Sequence, residues 1–130
     1  MIENKNPQQA WDFMQANTGA VLVDVRTNVE FSFVGHPIDA VNIPWKEAPD
    51  WQVNANFVAQ VQTMIDDIKA PILLMCRSGQ RSMDAAKQLE QAGYQQLINI
   101  AEGFEGVLDN DKHRGNISGW RFHNLPWKQS

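Results

Sequence analysis

The sequence predicts an α/β fold: a small, mainly parallel sheet with helices on both faces. Three short runs carry that expectation. "VLVDV" at 21–25, "ILLMC" at 72–76 and "LINI" at 97–100 are nearly continuous in apolar residues, as strands buried on both faces are. Between them the apolar residues recur at helical spacing, and strands alternating with helices need crossover connections that leave neighbouring strands parallel.

Each element has its own signal. Asn6-Pro7 reads as a cap followed by a proline at the first helical position, after which Ala10, Phe13, Met14 and Asn17 repeat at helical spacing until Thr18-Gly19. The strand at 21–25 follows, then a shorter one from Ala40 to Ile43, stopped by Pro44. Phe57, Val58, Val61, Met64, Ile65 and Ile68 trace one face of a second helix, closed by Ala70-Pro71. The strand at 72–76 leads into a third helix with an inner stripe of Ala85, Ala86, Leu89 and Ala92, ended by Gly93 as a left-handed cap. The strand at 97–100 is followed by a short helical piece from Phe104 to Leu108. The tail from about Asp109 to Ser130 is richer in polar residues and glycine, and is expected to wrap the domain irregularly, pinned by Trp120 and Trp127.

Bulk properties limit the function classes. A chain of 130 residues, 43% apolar, is read as one globular domain over 1–130 with a real core. A net charge of −4 and the lack of a basic arm argue against nucleic acid as a partner. The single cysteine excludes an internal disulfide and fits a reducing cytoplasm. The N-terminus has no basic segment followed by an apolar one, and the longest apolar runs are far too short to span a membrane. The expectation is a soluble, cytoplasmic protein with no membrane partner.

That one cysteine sits in "MCRSGQRS", where a strand stops and a helix begins. Ligands of parallel sheets bind beyond the carboxyl ends of the strands, so Cys76 falls at the expected site. The N–H groups between Cys76 and Ser82 belong to no ladder, and Ser78-Gly79 permits a tight, positive-φ turn that aims several of them at one centre. The helix start near Arg81-Ser82 adds the positive end of its dipole, and Arg77 and Arg81 add full charges. All of these favour a thiolate over a thiol, and the thiolate is the nucleophile. A buried, inert thiol is the common fate of a free cysteine, but the two arginines and the strand-to-helix position outweigh it here. Arginine suits bidentate capture of an anion, although either arginine could instead pair with a carboxylate. The candidate site is therefore Cys76 as nucleophile, with Arg77, Ser78, Gly79, Gln80, Arg81 and Ser82 binding substrate.

Other chemistry-bearing residues read more plainly. Asp24, at a strand end, is a structural acceptor. His36, His113 and His123 are scattered without metal-ligand spacing, so no metal is expected. Trp45 and Trp51 are core or rim aromatics.

The pieces "VLVDVR" (21–26), "EF" (30–31), "GHPIDAVNIP" (35–44), "CRSGQRS" (76–82), "AAKQLEQAGY" (85–94) and "EGFEG" (102–106) stand in the order and spacing of the rhodanese-like sulfurtransferases, which the sequence resembles. The resemblance implies that Cys76 takes the outer sulfur of a small donor such as thiosulfate and carries it as a persulfide. The acceptor is then cyanide or a thiol, with a protein donor or acceptor as a further option. It also implies that the N–H groups of Arg77 to Arg81 form the cradle and that no cofactor is needed; Asp24 and Arg26 match the family's "DVR" element, but we assign them scaffold roles. The usual "GHIPGA" appears here as Gly35-His36-Pro37-Ile38-Asp39-Ala40, which alters a turn and is expected to bear on the site's rim.

Two alternatives remain open. A related phosphatase architecture places five residues between the cysteine and the arginine, whereas here there are four, Arg77 to Gln80. The tighter ring suits a single sulfur atom better than a tetrahedral phosphate, and no general acid is evident. The second alternative is a sulfur relay that docks on a partner protein, and it shares the same loop.

Overall fold

The computed structural model describes residues 1–130. In chain order the elements are β1 (Ile2–Lys5), α1 (Pro7–Ala16), β2 (Val21–Asp24), a π-helical segment at Glu30–Val34, β3 (His36–Pro37), β4 (Val41–Asn42), β5 (Lys46–Glu47), β6 (Gln52–Val53), α2 (Phe57–Met64), β7 (Ile72–Met75), α3 (Gln80–Gln91), β8 (Leu97–Ile100) and β9 (Trp127–Lys128). Five strands form the central sheet in the order β1-β8-β7-β2-β4, and every pairing in it is parallel. The α/β architecture expected from the sequence is therefore present.

Alternation along β7 divides the core into two halves. Ile72, Leu74 and Cys76 face α2 and α3, packing with Phe57, Val61, Ala85, Ala86 and Leu89. Leu73 and Met75 face the other way, toward Ala10 of α1, Phe104 and the tail residues Trp120 and Leu125. Both faces are covered, so β7 and β8 have no exposed residue and need no polar alternation.

The predicted caps are in place. Asn6 accepts from the Gln9 N–H at 2.8 Å and Gln9 accepts from the Asn6 N–H at 3.0 Å, a capping box with Pro7 just inside. Gly93, at φ 105°, closes α3 in the left-handed region. α2 stops at Met64, short of the expected end near Ile68. Asp66 and Asp67 lie just beyond the Ile65 cap, where carboxylates oppose the negative end of the helix dipole, and Asp67 instead accepts from the Lys69 N–H at 2.9 Å. Met64 and Ile68 are consequently exposed rather than in the stripe.

The expected helical piece at Phe104 to Leu108 is instead a turn. Its N–H groups bond outward: Phe104 N–H to the Cys76 carbonyl at 2.9 Å, and Glu105 and Gly106 N–H to the Arg77 carbonyl at 3.0 and 3.1 Å. Gly103 makes this approach possible, since a Cβ there would stand 2.5 Å from the Arg77 carbonyl. The tail is pinned as expected at Trp120, which is fully buried and meets Trp11 edge-on at 5.9 Å. Trp127 is exposed, in an antiparallel pair of β9 with β3, with its ring edge-on to Phe104 at 5.8 Å. The altered turn at Pro37 to Asp39 does not reach the rim around Cys76. Ile38 and Asp39 line a separate cavity of about 410 Å³ with Trp11, Val21 and Leu22, at the amino end of β2.

Candidate active site

Cys76 follows directly on β7, at the carboxyl end of the sheet, and its side chain is buried in the α2/α3 half of the core. The loop after it turns on Gly79, whose φ is 116° and whose Cβ, if present, would lie 2.3 Å from the Ala101 carbonyl oxygen. Only glycine fits there. This turn brings the Gly79 N–H to 3.1 Å from the Cys76 Sγ, and the first turn of α3 brings the Ser82 Oγ to 3.3 Å. The N–H groups of Arg77, Ser78, Gln80, Arg81 and Ser82 have no acceptor in the protein. With the carbonyls of Cys76 and Arg77 tied outward to the 104–106 turn, the loop keeps its donors for something else.

The side chains of the candidate residues divide. Arg77 is exposed at the cleft and makes no ion pair. The Gln80 amide bonds Asp84 at 3.2 Å, on the helix itself. Arg81 does not point a free guanidinium at the sulfur: it forms a two-pronged pair with Glu30, at 2.8 and 3.0 Å. Burial alone would raise the Glu30 carboxyl, but the hydrogen bonds and charge of Arg81, helped by Thr27, hold it below the usual glutamate value. Burial likewise works against the charge on Arg81, but the pair with Glu30, helped by the nearby Cys76 and Asp24, holds the guanidinium above the usual arginine value.

This pair ties the start of α3 to the π-helical segment. A carboxyl held low in the folded state adds stability that is fully present above its unfolded value, near 4.5, and is lost as the pH falls through the folded value. Glu30→Gln is expected to lower stability by roughly 1–3 kcal/mol at neutral pH, the worth of hydrogen bonds to a charged partner. The gap between variant and wild type should be flat above pH 5 or so and shrink below 4.5. Urea unfolding at a series of pH values reads this, and a gap that widens in acid contradicts it.

Above the loop lies a cavity of about 610 Å³. Val29, Val34, Ala48 and Trp51 supply its apolar side, and Arg77, Arg81, Arg114 and Glu105 its charged side. Trp45 and Trp51 part company. Trp45 is buried edge-on against Phe57, while Trp51 is half-exposed on the rim with the Arg81 guanidinium 5.5 Å from its ring. Asp24 and Arg26 form a closed pair, both fully buried, that also reaches the Gly35 carbonyl at 2.6 Å. No group of three His, Cys, Asp or Glu side chains could hold a metal ion, and no helix is long and apolar enough to cross a membrane.

Sequence reasoning gave Glu30 no role, although "EF" stood among the matched pieces. Nothing local links positions 30 and 81; only the fold joins them. Asn99 was hidden as the one polar residue of "LINI".

A family model described as "Rhodanese-like domain" matches residues 6–110. The chain belongs to the rhodanese-like family. This rhodanese-like chain is 33% identical over 100 residues to the thiosulfate sulfurtransferase GlpE of Haemophilus influenzae, covering 77% of the chain and 82% of that protein. It is 39% identical over 129 residues to the RP600 homolog of Rickettsia rickettsii, with 98% of each covered. Among solved structures, Rv0390 from M. tuberculosis superposes with a TM-score of 0.88 at 40% identity over 98% of both chains. The family model thus spans the cysteine loop and every strand of the central sheet except β1, and the superposition on Rv0390 extends the likeness to nearly the whole chain.

Proposed function

We propose that the protein is a sulfurtransferase that moves a sulfane sulfur from a donor such as thiosulfate to a thiophilic acceptor, cyanide or a thiol, through a persulfide on Cys76. The supporting observation is the Cys76 sulfur at the carboxyl end of β7, 3.1 Å from the Gly79 N–H, in a loop whose other N–H groups lack acceptors. The kinship with a thiosulfate sulfurtransferase supports the donor. Residues 1–130 act in this reading as one domain, in a reducing compartment such as the cytoplasm, because the carrier is a free thiol.

The steps balance without a cofactor. The Cys76 thiolate attacks the outer sulfur of thiosulfate; the new S–S bond forms as the old one breaks, and sulfite leaves with the electron pair. The acceptor then attacks the outer sulfur of the persulfide, giving thiocyanate or a new persulfide and returning the thiolate. Between these steps the negative terminal sulfur lies among loop N–H groups at a helix start, the arrangement that stabilises such a charge. Arg77, unpaired at the cleft, attracts the anionic donor.

With no second thiol in the chain, the persulfide cannot collapse to a disulfide and must wait for an outside acceptor. Protein mixed with thiosulfate alone is expected to become one sulfur atom heavier, to hold that mass, and to lose it on adding cyanide; the kinetics should be ping-pong. Intact-mass measurement checks this. Transfer that requires donor and acceptor together, with no adduct ever seen, would remove the covalent-carrier reading.

A further inference from the structure

Ser82 carries one hydroxyl proton and stands within reach of three acceptors: Asn99 Oδ1 at 2.6 Å, the Gly79 carbonyl at 3.2 Å and Cys76 Sγ at 3.3 Å. The shortest contact holds that proton on Asn99, so Ser82 turns a lone pair to the sulfur. This suits a thiol, which donates its own S–H to the oxygen. A thiolate or persulfide anion needs the reverse, a donor.

Asn99 is equipped to make the exchange. It is a buried amide on β8, between the core residues Ile98 and Ile100, and a buried amide is tolerated only with its partners in place. Its Nδ2 donates to Asn4 Oδ1 on β1 at 3.0 Å and lies 3.4 Å from the Gly79 carbonyl. A carboxamide keeps its shape when oxygen and nitrogen change places. Turned over, Asn99 donates to Ser82 Oγ and accepts from Asn4, which is exposed and free to turn with it. The Ser82 proton is then released from Asn99, and of its two remaining acceptors, the Gly79 carbonyl at 3.2 Å and the Cys76 sulfur at 3.3 Å, an anionic sulfur draws it by its charge.

We propose that Asn99 is a positioning residue for the Cys76 sulfur, setting through its amide orientation whether the Ser82 hydroxyl donates to or accepts from that sulfur. Its importance for catalysis rests on the persulfide reading of Cys76. Its effect on the ionisation of Cys76 does not.

The charged groups around the sulfur are Arg77 in its own loop, Arg81 on α3 with its Glu30 partner, and the closed Asp24–Arg26 pair at the end of β2. On the strands that carry the asparagines, Lys5 pairs with Glu3, and beyond β8 Glu102 pairs with His123. None of these charges hydrogen-bonds Asn99, so the relay can be altered without breaking an ion pair.

The test is the ultraviolet titration of the thiolate, taken as the difference from Cys76→Ser. An ionised aspartate at 99 only accepts, so Asn99→Asp keeps the Ser82 proton away from the sulfur. The titration midpoint should rise by about one pH unit or more, on the order of tenfold less thiolate at a fixed pH. In a Ser82→Ala background the same substitution should shift the midpoint far less, because its lever is gone. Asn4→Asp, at an exposed position that tolerates charge, locks the Asn99 Nδ2 outward and should move the midpoint the same way, keeping the test alive if Asn99→Asp fails to fold. No shift in either variant overturns the proposal. A shift equally large with and without Ser82 also overturns it, since that is the plain repulsion of a new carboxylate. These outcomes do not depend on sulfur transfer, so a failed transfer assay and a failed relay are told apart.

Discussion

Cys76→Ser is expected to abolish sulfur transfer while leaving the fold in place. The side chain is 1% exposed and packs among Val25, Leu74 and Ala85, so the replacement must fit a closed site. Serine does: its oxygen is smaller than sulfur, and the Gly79 N–H and Ser82 hydroxyl beside it are partners for a hydroxyl. Stability should change by no more than about 1.5 kcal/mol, since the buried polar atom stays satisfied. The chemistry has no such substitute. An alcohol stays protonated at neutral pH and forms no persulfide, so turnover of thiosulfate with cyanide should fall by at least about 10⁴-fold, the scale of losing a nucleophile. Thiocyanate production and thermal unfolding, measured on the same preparation, separate the two effects. Turnover within tenfold of wild type would sink the mechanism outright.

The central strands were legible because burial on both faces leaves a mark in the chain itself. β7 reads as an unbroken apolar run and β8 as one interrupted only by Asn99, and the Asn6-Pro7 and Gly93 signals bound α1 and α3. β1 carried no such mark. "IENK" has one apolar residue, and it is a strand because it lies on an edge, held in parallel register by β8 from Ile2 opposite Leu97 to Lys5 opposite Ile100. The pairs β3–β9 and β5–β6 are two residues long, too short to show a period. The site split in the same way. The position of Cys76 and the need for Gly79 followed from local grammar, strand end then tight turn then helix start. The partners of that loop did not. Glu30 meets Arg81 across 51 positions, Asn99 meets Ser82 across 17, and the turn at 104–106 takes the loop's carbonyls. Such contacts are products of the tertiary fold, and a period or motif along the chain contains no trace of them.

Asp24→Ala is expected to be the most damaging substitution outside the cysteine loop, at a cost of about 3–5 kcal/mol, the range for stripping one partner from a buried ion pair. Asp24 and Arg26 are both fully buried, joined at 2.6 Å, with further bonds of 2.9 and 3.1 Å from the Arg26 Nε. Removing the carboxylate leaves a guanidinium with the Gly35 carbonyl as its sole remaining acceptor, in addition to a buried Nη1 that already lacks one. The damage should travel. The Arg26 guanidinium lies 4.6 Å from the Phe104 ring, and the Phe104 N–H holds the Cys76 carbonyl, so loosening Arg26 loosens the turn that orients the cysteine loop. Replacing both members, as Asp24→Leu with Arg26→Met, removes the stranded charge and should cost less than Asp24→Ala alone, even though it changes more atoms. Urea unfolding of the three proteins measures both statements. If Asp24→Ala costs under about 1 kcal/mol, or if the double variant is the weaker of the two, then the pair is not the buried anchor of β2 that its geometry implies.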